Sequence, residues 1–200
     1  MDTYADPVLL QDKMIRLVLE QFADKPPRFG QFPIHPAFHS IRVGLDLIKY
    51  GFPLPVCLGG SGHDFDEETD LNMGVIYRDF GQMVTVYIQM TSLHPRFNGE
   101  HTDESENELF ERVKVFVETT GDIGPLAIKS VDSMDSVRGA KYCPADWAPK
   151  LLKRAERWLA LARPYLSRDY NDLVLDFAEV IRRESLRINY PVPTDAKPQH

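Results

Sequence analysis

Residues 61–70, SGHDFDEETD, place one histidine and five carboxylates directly after an apolar run. Imidazole suits transition metals and carboxylate suits harder cations, so His63 and Asp64 together suit Mn2+, Fe2+ or Zn2+. Adjacent helical side chains diverge by about 100°, so both reach one ion only if it lies between their directions. Further ligands must therefore come from elsewhere. His35 and His39 precede the pair, and Asp132 follows it within the apolar run PLAIKSVDSMDSV. A carboxylate on such a stripe is costly unless it is paired or bound to a metal. Lys129, three residues earlier, could pair with it on the same helix face, where Ser136 also falls.

Each piece also has an ordinary reading. Asp132 and Lys129 make an ion pair at a helix surface, and Glu67, Glu68 and Asp70 make a solvated loop. His35 and His39 cap a loop-to-helix junction, while His94 and His101 face solvent in a polar loop. The chemistry depends on these elements occurring together.

The positioning elements read as helices. PVLLQDKMIRLVLEQFA places Leu9, Met14, Leu17, Val18 and Phe22 near one face, with Pro7 suited to a first turn. KPPRFGQFPIHP is a loop, and FHSIRVGLDLIKYG is a helix that ends at a Gly51 cap. PLPVCLGGSGHDF is too short for its pattern to separate a buried helix from a strand, and three glycines weaken either reading. QMVTVYIQMTSL is ambiguous because it is rich in β-branched residues. SENELFERVKVFVETTG opens with a capping box from Ser105 to Glu108. DIGPLAIKSVDSMDSVRGA and two long amphipathic runs complete the chain. No strand–helix alternation appears, so a single all-α domain is expected over 1–188. The proline-rich residues 189–200 read as a mobile tail.

Composition narrows the partners. A net charge of −7 argues against a nucleic-acid footprint, yet a local pocket or bound cation can still hold an anionic small molecule. The two cysteines lack CxxC spacing, which fits a reduced protein without a zinc-thiolate site. No segment suits a membrane helix, and the acidic N-terminus lacks the features of a signal peptide. A cytoplasmic location follows as the expectation; oligomeric state is left open.

HSIRVGLDLIKYG, GHDFDEETD, YRDFGQMVTVYIQMTSL and DIGPLAIKSVDSMDSVR occur in that order. Together they resemble the HD hydrolase domain of RelA/SpoT-type proteins, and in size the stand-alone small alarmone hydrolases. That family reads roughly HPxxVAxxLxxxG, LLHDxxEDT, FGxxVxxLVxxxTKL and DxRxxxxKLADRxxNxR, and the resemblance spans about residues 8–165. It implies a helical HD-domain bundle holding Mn2+, or another divalent transition metal, through His39, His63, Asp64 and Asp132. His39 is preferred to His35, despite Pro36, because its spacing to Gly51 matches without a gap; His35 is then expected near the site mouth. Glu67 and Glu68 fall on the family's water-activating acids, and Thr91 on the threonine of TKL. Lys129, Ser136 and Arg138 fall on substrate-side positions, and Arg42 is a further cation for phosphate. Arg28 lies in the loop where the family carries a nucleotide-contacting arginine.

Three departures accompany the match. CLGGSGHD, with Gly59, Gly60 and Gly62, stands where the family is alanine- and leucine-rich, so a closer-packed neighbour or a different substrate shape is expected there. The acidic pair is Glu-Glu rather than Glu-Asp. Ser136 replaces an asparagine, and Gly139 a threonine-like residue. The resemblance thus implies a Mn2+-dependent (p)ppGpp 3′-pyrophosphohydrolase. The alternatives are an HD phosphohydrolase for another nucleotide (NADPH, a dNTP or a nucleoside monophosphate) or a nucleotide-binding HD scaffold without turnover.

Overall fold

A computed structural model describes residues 6–26, 35–93, 102–144 and 146–189, and among these residues every regular element is helical. In chain order they are α1 (Pro7–Gln21), α2 (Pro36–Lys49), α3 (Leu54–Ser61), α4 (Phe65–Glu68), α5 (Met73–Phe80), α6 (Gln82–Thr91), α7 (Asp103–Thr120), α8 (Gly124–Arg138), a 3-10 turn (Ala140–Tyr142), α9 (Ala148–Leu166) and α10 (Asn171–Asn189). Arg28, His94, His101 and the tail beyond 189 lie outside the described residues.

Local signals account for most boundaries. Asp6 caps α1 by accepting the Val8 amide at 2.9 Å, with Pro7 in the first turn. Met14, Val18 and Phe22 line its buried side. Leu9 does not join them, because that stripe runs at i, i+4 and leaves Leu9 65 % exposed at the outer edge of the first turn. His35 caps α2, its Nδ1 accepting the Ala37 amide at 3.3 Å, and Gly51 follows the helix in the left-handed conformation that glycine tolerates. The capping box of α7 lies one turn earlier than the sequence suggests. Thr102 is the cap and Ser105 the third helical residue, because the two hydroxyls satisfy each other's backbone amides directly.

Both ambiguous segments are helices. β-Branched content in α6 yields to tertiary packing, with Val84, Thr85, Tyr87 and Ile88 buried. In α3 the glycines permit close approach. A Cβ built on Gly59 would lie 2.9 Å from Tyr87 Cβ, and one on Gly60 would lie 2.3 Å from Leu47 Cδ1. The expected closer-packed neighbours are thus α6 and α2, with α3 packed against both. Overpacking costs about 1–3 kcal/mol, more than the roughly 1 kcal/mol of helix propensity a glycine-to-alanine change gains. Gly59→Ala is therefore expected to lower the melting temperature by about 2–6 °C. A calorimetric scan that shows no decrease would mean this contact is not tight.

The central helix is α8. Twelve of its fifteen residues are buried, and it touches α2, α3, α6, α7, α9 and α10. The main apolar cluster includes Leu126, Val131 and Met134 of α8 with Leu47, Trp158 and Phe177. A helix so enclosed can carry polar groups only where they are paired.

Candidate metal centre and its cleft

Three elements converge on one buried cluster: α2 through His39, the turn between α3 and α4 through His63 and Asp64, and α8 through Asp132. The donor atoms of His39, His63 and Asp64 lie within 4.8 Å of one another. Asp132 Oδ1 sits 3.1 Å from His39 Nε2 and 3.7 Å from His63 Nε2. His63 Nδ1 lies 2.8 Å from the Gly60 carbonyl. A carbonyl only accepts, so Nδ1 carries the proton and the lone pair of the neutral ring falls on Nε2. That Nε2 is buried and makes no hydrogen bond, although Asp64 Oδ1 is only 3.0 Å away. An orphaned imidazole nitrogen among carboxylate oxygens fits the chemistry of a divalent transition-metal site.

The supporting contacts are equally specific. His39 Nδ1 meets Asp135 Oδ2 at 2.7 Å, the carboxylate–histidine arrangement that orients metal-binding rings. Arg42 grips Asp135 through both oxygens, at 2.9 and 2.8 Å. Ser40 donates to Asp64 at 3.3 Å. Lys129 meets Asp132 Oδ2 at 2.5 Å, with both side chains nearly enclosed. The ordinary ion-pair reading of Asp132 therefore holds as well, but in the interior rather than at the surface. One oxygen faces the lysine and the other faces the imidazoles.

A cleft of about 700 Å³ opens over this centre. Glu67 and Glu68 line it, and Glu67 Oε2 accepts the Leu93 amide at 3.1 Å. Asp66 and Asp70 are exposed. Arg42, Lys129, Ser136 and Arg138 also line the cleft, with Arg138 paired to Asp46 at 2.5 Å. Thr91 is not part of it, since its hydroxyl bonds back to Tyr87 and Ile88 in its own helix. His35 serves as the α2 cap and is absent from the lining.

No protein-family model matches the sequence, and no curated protein does. Solved structures do match. One, a metazoan ortholog of SpoT that hydrolyses ppGpp and plays a role in starvation responses, superposes with a TM-score of 0.74. It is 16 % identical, and the match covers 92 % of this chain and 99 % of the other. The chain thus shares the helical fold of that SpoT ortholog. A second match is lmo0812 from Listeria monocytogenes EGD-e, at a TM-score of 0.56 and 18 % identity, covering 73 % of this chain and 97 % of that one.

Within this HD fold, charge at the centre is set by the carboxylates. Burial alone would lower the His63 pKa, but Asp64 and Asp132 outweigh it and push it up to about 10. His39 moves the same way, as Asp132 and Asp135 overcome its burial. Burial would likewise raise Asp132, yet Lys129 and the two imidazoles hold it well below the usual carboxylate range. The carboxylates thus hold both rings towards the protonated form in the metal-free protein, and an entering metal must displace those protons. Mn2+ binding is expected to release protons and to tighten as pH rises. Calorimetry in buffers of differing ionisation enthalpy counts the protons, and a count of zero refutes the assignment. The stability effect has a definite sign. A histidine whose pKa rises on folding contributes fully below its ordinary value of 6.5, and that contribution is lost as pH climbs towards 10. Chelator-treated protein should melt progressively lower over that window.

Sequence reading missed several groups that the HD cleft gathers, among them Asp135, Lys141, Tyr142, Trp147 and Arg154. Asp135 had a signal, being a second carboxylate one turn after Asp132 on the same apolar helix. Arg154 had one too, because it falls on the buried stripe of α9 marked by Leu151, Ala155 and Trp158. It pairs with Glu106 at 2.8 Å. No local pattern singles out the others.

Proposed function

We propose that the protein is a divalent-metal phosphohydrolase of nucleotides, and specifically a Mn2+-dependent 3′-pyrophosphohydrolase of (p)ppGpp. The observation that carries this reading is the orphaned Nε2 of His63, buried among the Asp64 and Asp132 carboxylates beneath a cleft lined by acids and cations. His39, His63, Asp64 and Asp132 would hold the ion. A divalent ion there supplies a water acidic enough to ionise near neutral pH and polarises a phosphate oxygen. Glu67, held by the Leu93 amide, takes the proton from the attacking water, and Glu68 assists its removal. Lys129, Arg42 and Arg138 offset phosphate charge, which is the main route of catalysis in phosphoryl transfer. Arg154 and Lys141 extend that cationic lining, and Ser136, also in the lining, would meet the nucleoside.

The lining also supports a second reading, an HD phosphohydrolase for another nucleotide such as NADPH, a dNTP or a nucleoside monophosphate. Small residues, Ser136 and Gly139, stand in the cleft beside Tyr142 and Trp147, so the nucleoside meets aromatic surface more than hydrogen-bonding amides. Purified protein with Mn2+ should release pyrophosphate from ppGpp, and His63→Ala or Asp64→Ala should abolish it. Faster turnover of another nucleotide in the same screen selects the second reading. Failure of metal-replete protein to turn over any nucleotide leaves a binding scaffold.

A further inference from the structure

The strongest unassigned feature lies behind the cleft, at the C-terminal end of α6. Ser92 caps that helix, with its amide returning to the Ile88 carbonyl at 3.1 Å. The next peptide group, joining Ser92 to Leu93, is engaged at both ends. Its N–H donates to Glu67 Oε2 at 3.1 Å, and its C=O accepts a short hydrogen bond from Arg112 Nη2 on α7. Ser92 also donates through its hydroxyl to the His63 carbonyl at 3.1 Å. Two residues, Ser92 and Leu93, thus touch both the histidine of the candidate metal set and the acid proposed to handle the water.

Arg112 is placed for this contact by its neighbours, since Leu109 and Val113 on α7 are both buried in the main core. It does not line the cleft. Its Nε is buried and makes no hydrogen bond, so the bond from Nη2 to the Ser92 carbonyl anchors this guanidinium. A cationic donor on a peptide oxygen polarises the whole amide and strengthens the N–H as a donor, the cooperativity of chained hydrogen bonds. Arg112 therefore acts on Glu67 through one amide group, and its positive charge also lies within electrostatic reach of Glu67 and Asp66.

We infer that Arg112 is a positioning residue: through the Ser92–Leu93 peptide it fixes the orientation of the Glu67 carboxylate at the cleft. The inference rests on the proposed role of Glu67 in handling the attacking water. Misplacement of such a group by about 1 Å costs on the order of 100-fold in rate, whereas Arg112 itself is absent from the cleft lining.

The test uses the full chain carrying Arg112→Met, which keeps most of the apolar stem, and Arg112→Lys, which keeps a cationic donor. With Mn2+ and ppGpp, Arg112→Met is expected to lose about 10- to 100-fold in kcat, with KM and Mn2+ affinity held within about threefold, and Arg112→Lys to recover most of that loss. In an Arg112→Met, Glu67→Gln double variant the two losses should overlap rather than multiply, because both act on one carboxylate. Amide hydrogen exchange gives a readout independent of turnover. The Leu93 amide should exchange faster in Arg112→Met while the Val84 and Ile88 amides stay protected. Multiplying losses, an unchanged kcat, or unaltered Leu93 exchange each overturn the inference. Should the wild-type protein turn over no nucleotide, the proposed function fails first, and Leu93 exchange still decides whether Arg112 holds that peptide. A variant that does not fold is recognised by its circular dichroism, and Arg112→Lys then carries the comparison.

Discussion

Asp132→Ala is expected to be the most damaging single substitution in the chain, because it removes two interactions at once. Asp132 Oδ1 faces His39 and His63, and Oδ2 faces Lys129. Without the carboxylate, the candidate metal set loses a donor, and Mn2+ affinity should fall by more than the roughly 10- to 100-fold that loss of a supporting group costs. Lys129 would also be left as an enclosed, uncompensated ammonium, a defect worth about 3–5 kcal/mol. Denaturant melts of the metal-free proteins isolate the second effect, and Mn2+ titration followed by electron paramagnetic resonance isolates the first. The two separate in a double variant. Lys129→Met in the Asp132→Ala background should restore most of the stability and none of the metal binding. If Asp132→Ala binds Mn2+ as tightly as the parent, Asp132 is a structural ion-pair partner and not a ligand.

The second large effect is expected at Asp135. Its carboxylate meets His39 Nδ1 at 2.7 Å and is clamped by Arg42. Asp135→Leu would leave His39 free to turn and lower the basicity of its Nε2. Mn2+ affinity should drop about 10- to 100-fold, with a smaller loss for Asp135→Asn, which can still accept the Nδ1 proton. Arg42 is 45 % exposed in its side chain and can turn to water, so a stability loss as large as that of Asp132→Ala is not expected. Equal Mn2+ affinity in Asp135→Leu and the parent would dismiss Asp135 as an organiser of the centre.

Much of this arrangement was legible from short-range signals. The helical period, the Pro7 and Gly51 boundaries and the His63-Asp64 pair all lie within single segments, and the period and both boundaries read correctly there. Their assembly became readable only through the ordered resemblance, which implied that His39 and Asp132 join them, and the four side chains do meet in one buried cluster. Long-range pairing stayed hidden. His39 and Asp135 are 96 residues apart and Glu106 and Arg154 are 48 apart, and no periodicity encodes which polar residue on a buried face meets which partner. The capping of α7 by Thr102 illustrates a smaller failure. Two hydroxyls three residues apart can each cap, and only the backbone geometry decides between Ser105 and Thr102.

The glycine run of α3 has a further consequence, in kinetic terms. Side chains can exchange rotamers, but Gly59 and Gly60 seat α3 against its neighbours with backbone alone. No side chain at those two positions can change rotamer to loosen the turn that presents His63 and Asp64. Uptake of the ion should consequently proceed in one exponential phase set by encounter and proton loss, with no slow rearrangement of the protein behind it.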